Sequence, residues 1–535
     1  MPAYDARWSS VNNANVGTAQ TPLSVRQRWT NAPTAPPKWQ TRRRKTRWKL
    51  LLILLVAVLL IASVLVAADL YRSVTTLVVR VGGQQTQIDL NQSVSVSPYL
   101  LGSNVFPATG TISKDQSGKG FMSYNQSIVL GLRSAGIKLL RFPGGDWGEQ
   151  HTLSTQQLDD FSGLLNRLGA QGIVQVPLSD PLDVTPVPLQ TRATRAALLV
   201  DYLNHSKSIQ RMNANAPFHP IACWTIGNEP DLLINPDTQE TYTVEQYTSA
   251  FIAYSLAMHE QDPSIKVFGP EISNYFAKDA NGKPWMEEFL REISAYERTH
   301  SLPFHLLDGV SFHYYPFGNT GESASALLNN PARLNNLLLQ LRQYVRQQFG
   351  EDLPVAITEI NTNSGTVLPS QRLAAAWWAD TLGTLMSNQV EYVAFFSAEG
   401  VDAPYPLFTQ KGLQQTAMLR VMQLFAGLQQ NFVQGAQGPV SLYATQNQGH
   451  TTVSILFINK TAESQQVHVA DSSMLPISLW QQAELTIPPY GMAVLTLHRN
   501  GGDEVYSFSN QENTQQIVPD INHLVCGNIN STSVC

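Results

Sequence analysis

The chain has 535 residues, 43% of them hydrophobic, a formal net charge of −5 and only three cysteines. That length allows one large domain with one or two smaller units, and three cysteines are too few for a disulfide framework. The charge is divided: residues 1–68 hold ten Lys/Arg against one Asp, leaving 25 basic and 39 acidic residues elsewhere. The basic charge therefore marks no nucleic-acid surface on the globular part, whose anionic balance argues against a heavily sulfated polyanion as ligand.

Residues 1–49 read as a disordered basic tail, rich in Asn, Thr, Gln, Ser and Pro and ending in Arg42-Arg-Arg-Lys-Thr-Arg-Trp-Lys49. The stretch 50–68 is uncharged and almost wholly apolar, close to the ~20 residues that a membrane-spanning helix needs. The basic cluster before it predicts a single-pass anchor with its N-terminus cytoplasmic and Asp69 onward outside. The alternative is a cleaved signal peptide, with Val66 and Ala68 as the small residues before the cut and a secreted product.

Residues 69–98 carry the runs Val74–Val81 and Gln87–Val96, which read as strands completing a C-terminal sandwich. From 99 to 430, apolar runs alternate with amphipathic helical segments such as Gln156–Leu168, Val244–His259 and Ala332–Phe349. The apolar runs are Tyr99–Phe106, Ile137–Pro143, Gly172–Pro177, Ile221–Gly227, Ile265–Pro270, Leu307–His313, Leu353–Glu359 and Glu391–Ser397. Eight strand–helix units predict an α/β fold, a (β/α)₈ TIM barrel. Residues 431–500 change texture to short strands with no helical pattern, an antiparallel β-sandwich with one wet face. Residues 501–535 read as a loose polar tail. Cys526 and Cys535 flank a short polar loop and have the compartment to pair, whereas Cys223 reads as a small core residue. Asn-x-Ser/Thr acceptors occur at Asn91, Asn125, Asn204, Asn459 and Asn530.

Two strand ends carry the chemistry. Ile221-Ala-Cys-Trp-Thr-Ile-Gly-Asn-Glu-Pro230 places Glu229 at the C-terminal tip of the fourth strand, and Leu353-Pro-Val-Ala-Ile-Thr-Glu359 places Glu359 at the seventh. In a parallel barrel those tips are where catalytic groups sit. Glycoside cleavage needs a proton for the departing oxygen and negative charge on the other face of the sugar. Glu229, partly shielded beside a second carboxylate, suits the first role and Glu359 the second, with Glu271 and Glu399 as rivals at other strand ends. Asn228 is placed to hydrogen-bond a sugar hydroxyl, and Arg141 to hold Glu359 ionised. His313 and Tyr315 alternate with Tyr314 and so face one side of their strand. Asp146 and Trp147 follow the second strand within reach of sugar, and Trp377-Trp378 reads as core. No nucleotide-binding loop or metal-ligand spacing appears, so no cofactor is expected.

These residues resemble clan A of the retaining glycoside hydrolases, in which the acid/base follows Asn at strand four and the nucleophile ends strand seven. Ser311-Phe-His313-Tyr-Tyr315-Pro matches the His-x-Tyr at strand six, where an aromatic hydroxyl supports the nucleophile. Leu140-Arg141-Phe-Pro-Gly-Gly-Asp146 resembles families 39, 51 and 79, and Trp224-Thr-Ile-Gly-Asn-Glu-Pro-Asp231 looks most like family 79, the β-glucuronidases and heparanases. The resemblance covers residues 72–500. Strand eight, Val393-Ala-Phe-Phe-Ser-Ala-Glu399, lacks the Trp that many clan members place under the sugar, and Phe396 is the substitute. The expectation is a membrane-anchored retaining β-glycosidase acting on carbohydrate, and the resemblance implies a β-glucuronide or related glycan as substrate. The alternatives are an inactive glycan-binding scaffold on the same fold and a transglycosidase.

Overall fold

The computed structural model describes residues 39–108, 120–179, 187–401, 403–409, 414–472, 480–511, 518–529 and 532–535. Residues 1–38 of the expected disordered tail and the acceptor Asn530 lie outside them. The chain divides into two units, 1–66 and 67–535. A helix spans Trp39–Thr75, and its stretch Thr46–Arg72 is long and apolar enough to cross a membrane.

Three short strands precede the barrel: β1 (Thr76–Val81), β2 (Gln84–Asp89) and β3 (Val94–Ser95). The barrel strands are β4 (Gly102–Asn104), β5 (Leu139–Phe142), β6 (Gln171–Val176), β7 (Cys223–Ile226), β8 (Lys266–Ile272), β9 (Gly309–Tyr314), β10 (Val355–Ile360) and β11 (Tyr392–Phe395). All eight pair in parallel and close in sequence order, since β11 returns to β4. Each overlaps one of the eight apolar runs, β6, β8, β9 and β10 running one or two residues past them, and strands covered on both faces require such runs. Most helices between them bury one face, whereas Gln371–Ser387 is buried all round from Ala374 to Met386. The helix Thr155–Leu168, for instance, opens on a reciprocal Ser154/Gln157 capping box and closes on Gly169 in the left-handed region. Trp377 and Trp378 are fully buried in the helix Gln371–Ser387, and Cys223 is buried in β7.

After the barrel come β12 (Asn431–Ala436), β13 (Val440–Gln446), β14 (Thr452–Asn459), β15 (Gln465–Asp471), β16 (Gln482–Ile487), β17 (Met492–His498), β18 (Glu504–Phe508), β19 (Asn522–Val525), β20 (Gly527–Ile529) and β21 (Thr532–Val534). They form two sheets, β2-β1-β15-β16-β21-β20 and β19-β18-β17-β14-β13-β12-β3, so strands from before the barrel enter both.

Three expectations need correction. The expected wet face is present along β15 and β16, where exposed and buried residues alternate, but is absent along β13, β14 and β17. Leu442, Ile455, Phe457 and Leu495 pack into the core between the sheets, whereas the alternate residues Tyr443, Leu456, Ile458 and Val494 pack into the barrel's core. Period-2 alternation is present, but both faces are apolar because the barrel covers the outer one. The tail beyond 500 is not loose in its described part. Val505 and Phe508 are buried, β18 to β21 extend both sheets, and a Cys526–Cys535 disulfide closes the β20–β21 hairpin. Asn459 is no glycan acceptor in the folded chain. It is fully buried, and its Nδ2 donates to the carbonyls of Glu463 and Pro488. Asn204 is engaged likewise by Ile221 and Asp262, whereas Asn91 and Asn125 are exposed.

One buried ion pair joins barrel to sandwich. Asp380, on the barrel helix Gln371–Ser387, accepts from Lys460 Nζ at 2.8 Å and from the Tyr443 hydroxyl at 2.7 Å. Removing one member strands a buried charge. Asp380→Ala is expected to cost about 3–5 kcal/mol in denaturant unfolding. A loss under about 1 kcal/mol would mean that the contact carries little of the docking.

Candidate active site

Arg141, at the C-terminal end of β5, has no exposed surface and spreads its guanidinium under the barrel mouth. Its Nη1 donates to Glu359 Oε1 at 2.7 Å and Asn104 Oδ1 at 3.0 Å. Its Nη2 donates to Glu271 Oε2 at 2.8 Å, Asn228 Oδ1 at 3.0 Å and Gln175 Oε1 at 3.3 Å. Burial works against its charge, and the attraction of Glu271 and Glu359 outweighs burial and raises its pKa above the ordinary value.

Glu359, in β10, faces this cation on one oxygen and the Tyr315 hydroxyl on the other, at 2.7 Å. Burial raises its carboxyl above the ordinary range, and His313, Arg141 and Tyr315 work against that rise. Gly145 lets the backbone approach closely, because a Cβ there would lie 2.8 Å from Glu359 Oε1. Glu229 follows β7 in the left-handed region, at φ 46°, and its N–H donates to the Glu271 carbonyl at 2.9 Å. One oxygen of Glu229 and one of Glu359 lie within 4.8 Å of each other.

His313, in β9, is buried among three carboxylates. Its Nδ1 lies 2.9 Å from Glu229 Oε1 and 3.7 Å from Glu359 Oε2, and its Nε2 lies 3.6 Å from Glu271 Oε2. Burial would lower its pKa, but the charge of Glu359 and the contacts with Glu229 and Glu271 raise it to about 10. The ring is then an imidazolium that donates to Glu229. The ligand atoms of Glu229, His313 and Glu359 lie within 4.8 Å of one another, close enough to meet a metal ion and close enough for acid–base work.

The rest of the expected set lies around this cluster. Asn228 also donates to Asp146 Oδ1 at 3.0 Å, and Asp146 opens the short helix Asp146–Gln150 at the cleft edge. Phe396, just after β11, stands edge-on between Phe106 and Tyr315, and with Trp147 it walls a cleft of about 440 Å³ above the two glutamates. Tyr314 points the other way, to Asn330. Glu399 is not brought to the pair: it is buried and accepts from the Ser123 N–H.

Glu271, at the end of β8, takes a part that sequence reasoning missed. It has no exposed surface, and besides Arg141 it accepts from Thr358 Oγ1 at 2.7 Å. Burial would raise its pKa, but Arg141 and then His313 overcome that and hold it at about 2. It is a fixed counter-charge under the site. Asn104 and Gln175 were also missed, although a lone amide within an otherwise apolar strand such as Gly172-Ile-Val-Gln-Val-Pro177 is a signal that a buried polar partner exists.

No protein-family model matches the sequence, and no curated protein matches it. Solved structures do match the fold. The family 51 arabinofuranosidase of Xanthomonas axonopodis pv. citri aligns over 82% of this chain and 93% of its own, at 14% identity and a TM-score of 0.56. The family 51 α-L-arabinofuranosidase of Bifidobacterium longum aligns over 76% and 96%, at 14% identity and 0.55. A family 44 xyloglucanase of Paenibacillus polymyxa aligns over 76% and 97%, at 13% identity and 0.52. The barrel and its β-sandwich thus have the fold of clan A glycoside hydrolases, with families 44 and 51 among the neighbours.

Proposed function

We propose that the protein is a retaining glycosidase, with Glu359 as nucleophile and Glu229 as acid/base. The observation that carries this reading is that Glu229 and Glu359 line one cleft, with an oxygen of each within 4.8 Å of the other. Retaining enzymes place the two carboxyls about 5–5.5 Å apart, whereas inverting ones need about 6.5–9.5 Å to admit a water. Both oxygens of Glu359 are held, one by Arg141 and one by Tyr315, as a fixed nucleophile requires. Glu229 lines the cleft beyond β7, free of Arg141, and suits the acid/base part, whereas Glu271 has no exposed surface.

In the first step a Glu359 oxygen bonds to the anomeric carbon, the bond to the leaving oxygen breaks, and that oxygen takes the Glu229 proton. In the second, water bonds to the same carbon, gives a proton to Glu229, and the ester to Glu359 breaks. As the Glu359 charge is spent, the Tyr315 and Arg141 hydrogen bonds hold its oxygens in line. Asn228, fixed between Arg141 and Asp146, presents an amide to a sugar hydroxyl. Phe396 supplies an apolar face for the ring. Support for a β-glucuronide or related β-glycoside as substrate is the family 79 resemblance of Trp224–Asp231. An anchor at 50–68 with the barrel outside is supported by the basic run before it.

The full-length protein in lipid vesicles is to be assayed on aryl β-glycosides, the glucuronide included. Turnover is expected on at least one sugar, lost in Glu359→Ala and reduced about 10²–10⁴-fold in Glu229→Ala. Glycan binding without turnover on any sugar would replace the enzyme by the scaffold reading.

A second test concerns the buried counter-charge. Glu271→Gln removes one of the three carboxylates that keep His313 protonated to about pH 10. The alkaline limb of kcat/KM is expected to move to lower pH in that variant. An unmoved limb would separate His313 from the pH dependence.

The same groups set a stability window. His313 is raised above its unfolded value, so its contribution is complete below about pH 6.5 and fades as pH rises through about 10. Glu271 is depressed, so its contribution is complete above about pH 4.5 and fades as pH falls through about 2. Thermal melts across pH are expected to fall on both sides, and His313→Gln should flatten the alkaline side.

A further inference from the structure

Two loops beside Glu229 expose apolar side chains that no packing explains. Leu232 is 62% exposed, Ile234 54% and Phe276 70%. Leu232 lies one turn beyond Glu229, and its N–H donates to the Glu229 carbonyl at 2.8 Å. Phe276 lies on the next loop, which follows β8 and Glu271. The two loops are tied to each other, since Asp231 accepts from the Ser273 N–H at 2.9 Å and from its hydroxyl.

The exposure is built into the backbone. Leu233 packs inward, which turns its neighbours Leu232 and Ile234 outward, and an Ile234–Thr241 bridge fixes the segment. Tyr275 packs edge-on against Phe312, and Asn274 accepts from the Phe276 N–H at 3.0 Å, so Phe276 is held out on a rigid turn. The polar side chains Asp231, Ser273 and Asn274 are engaged with one another: both Asp231 oxygens go to Ser273, and the Asn274 amide goes back to Ser273 and Phe276. A sugar ring in this place would need free donors and acceptors. Leu232 and Ile234, being aliphatic, also offer no flat ring for a sugar to stack on.

The place of these loops gives the patch a use. In the barrel order, β7 and β8 are neighbours on the side that carries Glu229, opposite β11 and β4, which lead to Phe396 and carry Asn104. Both loops leave their strands beside Glu229, the residue that on the glycosidase reading protonates the leaving group. We propose, resting on the glycosidase reading, that Leu232, Ile234 and Phe276 form a subsite for an apolar aglycone, so that the substrate is a sugar linked to an alkyl, isoprenoid or aryl group. Rigid presentation serves this, because little order is lost when the aglycone settles.

The test uses the full-length protein in lipid vesicles, with the glycone found on the aryl panel, on methyl, butyl and hexyl glycosides and on the matching disaccharide. Each buried methylene is worth up to roughly fourfold in binding. The hexyl-to-methyl ratio of kcat/KM is expected to be about tenfold or more, and to fall at least severalfold in the exposed-site variants Leu232→Ser and Phe276→Ser. Partition of the alkyl chain into lipid is the same for wild type and variant, so that fall reads the protein. A ratio near one, a ratio unchanged in both variants, or a preference for the disaccharide would overturn the subsite while leaving the glycosidase standing. Absence of turnover on every glycoside would remove both.

Discussion

A guanidinium with no surface in water holds this site together. Arg141 has its hydrogens spread over acceptors from five other barrel strands or their ends: Asn104 on β4, Gln175 on β6, Asn228 after β7, Glu271 on β8 and Glu359 on β10. Leaving so large a cation uncompensated in the interior would cost several kcal/mol, so its presence obliges the barrel to bring carboxylates to it. The planar fork matters as much as the charge, since its two ends address Glu359 and Glu271 separately. A lysine, with one point of charge, would have to choose between them.

That arrangement divides the carboxylates by role. Glu271 is wholly enclosed and bound by Arg141 and Thr358, so its charge is permanent and its position fixed. Glu359 shares the same cation but keeps an edge in the cleft. Glu229, on a left-handed residue beyond the strand, is farthest from Arg141 and nearest to water. His313 lies between all three and lends its charge to whichever is ionised. Three chemically identical groups are thereby set to different tasks by burial and by distance to two cations.

The barrel was legible because its strands are apolar on nearly every residue, a pattern that survives the loss of all tertiary information. The outer glutamates were legible for a related reason: Gly227-Asn-Glu-Pro230 and Thr358-Glu-Ile360 each put a charged residue where an apolar run stops. Glu271 also ends a run, but its side chain turns inward, and no local pattern tells an inward carboxylate from an outward one. Only the strand order, which sets Arg141 across from it, does so. The sandwich misled for the opposite reason. Tyr443, Leu456 and Ile458 alternate with other apolar residues, and a strand with two apolar faces reads the same whether its second cover is another sheet or a barrel. The tail after Asn500 looked loose because its strands are short and polar: β21 draws its order from β16, far upstream in sequence, and β18 from a hairpin with β17.

The sandwich is built from both ends of the chain. β1 pairs with β15, Val79 opposite Val469, and β3 pairs with β12, while every barrel strand lies between them in sequence. Such pairings close very long loops and form late. A chain made from its N-terminus must therefore carry β1 and β2, with Leu77, Val79 and Ile88 bare, until β15 has emerged. During that interval the unpaired edge is open to any other strand that meets it. Barrel and sandwich are consequently born together, and the enclosing topology that makes the finished molecule hard to open also makes the unfinished one slow to protect itself.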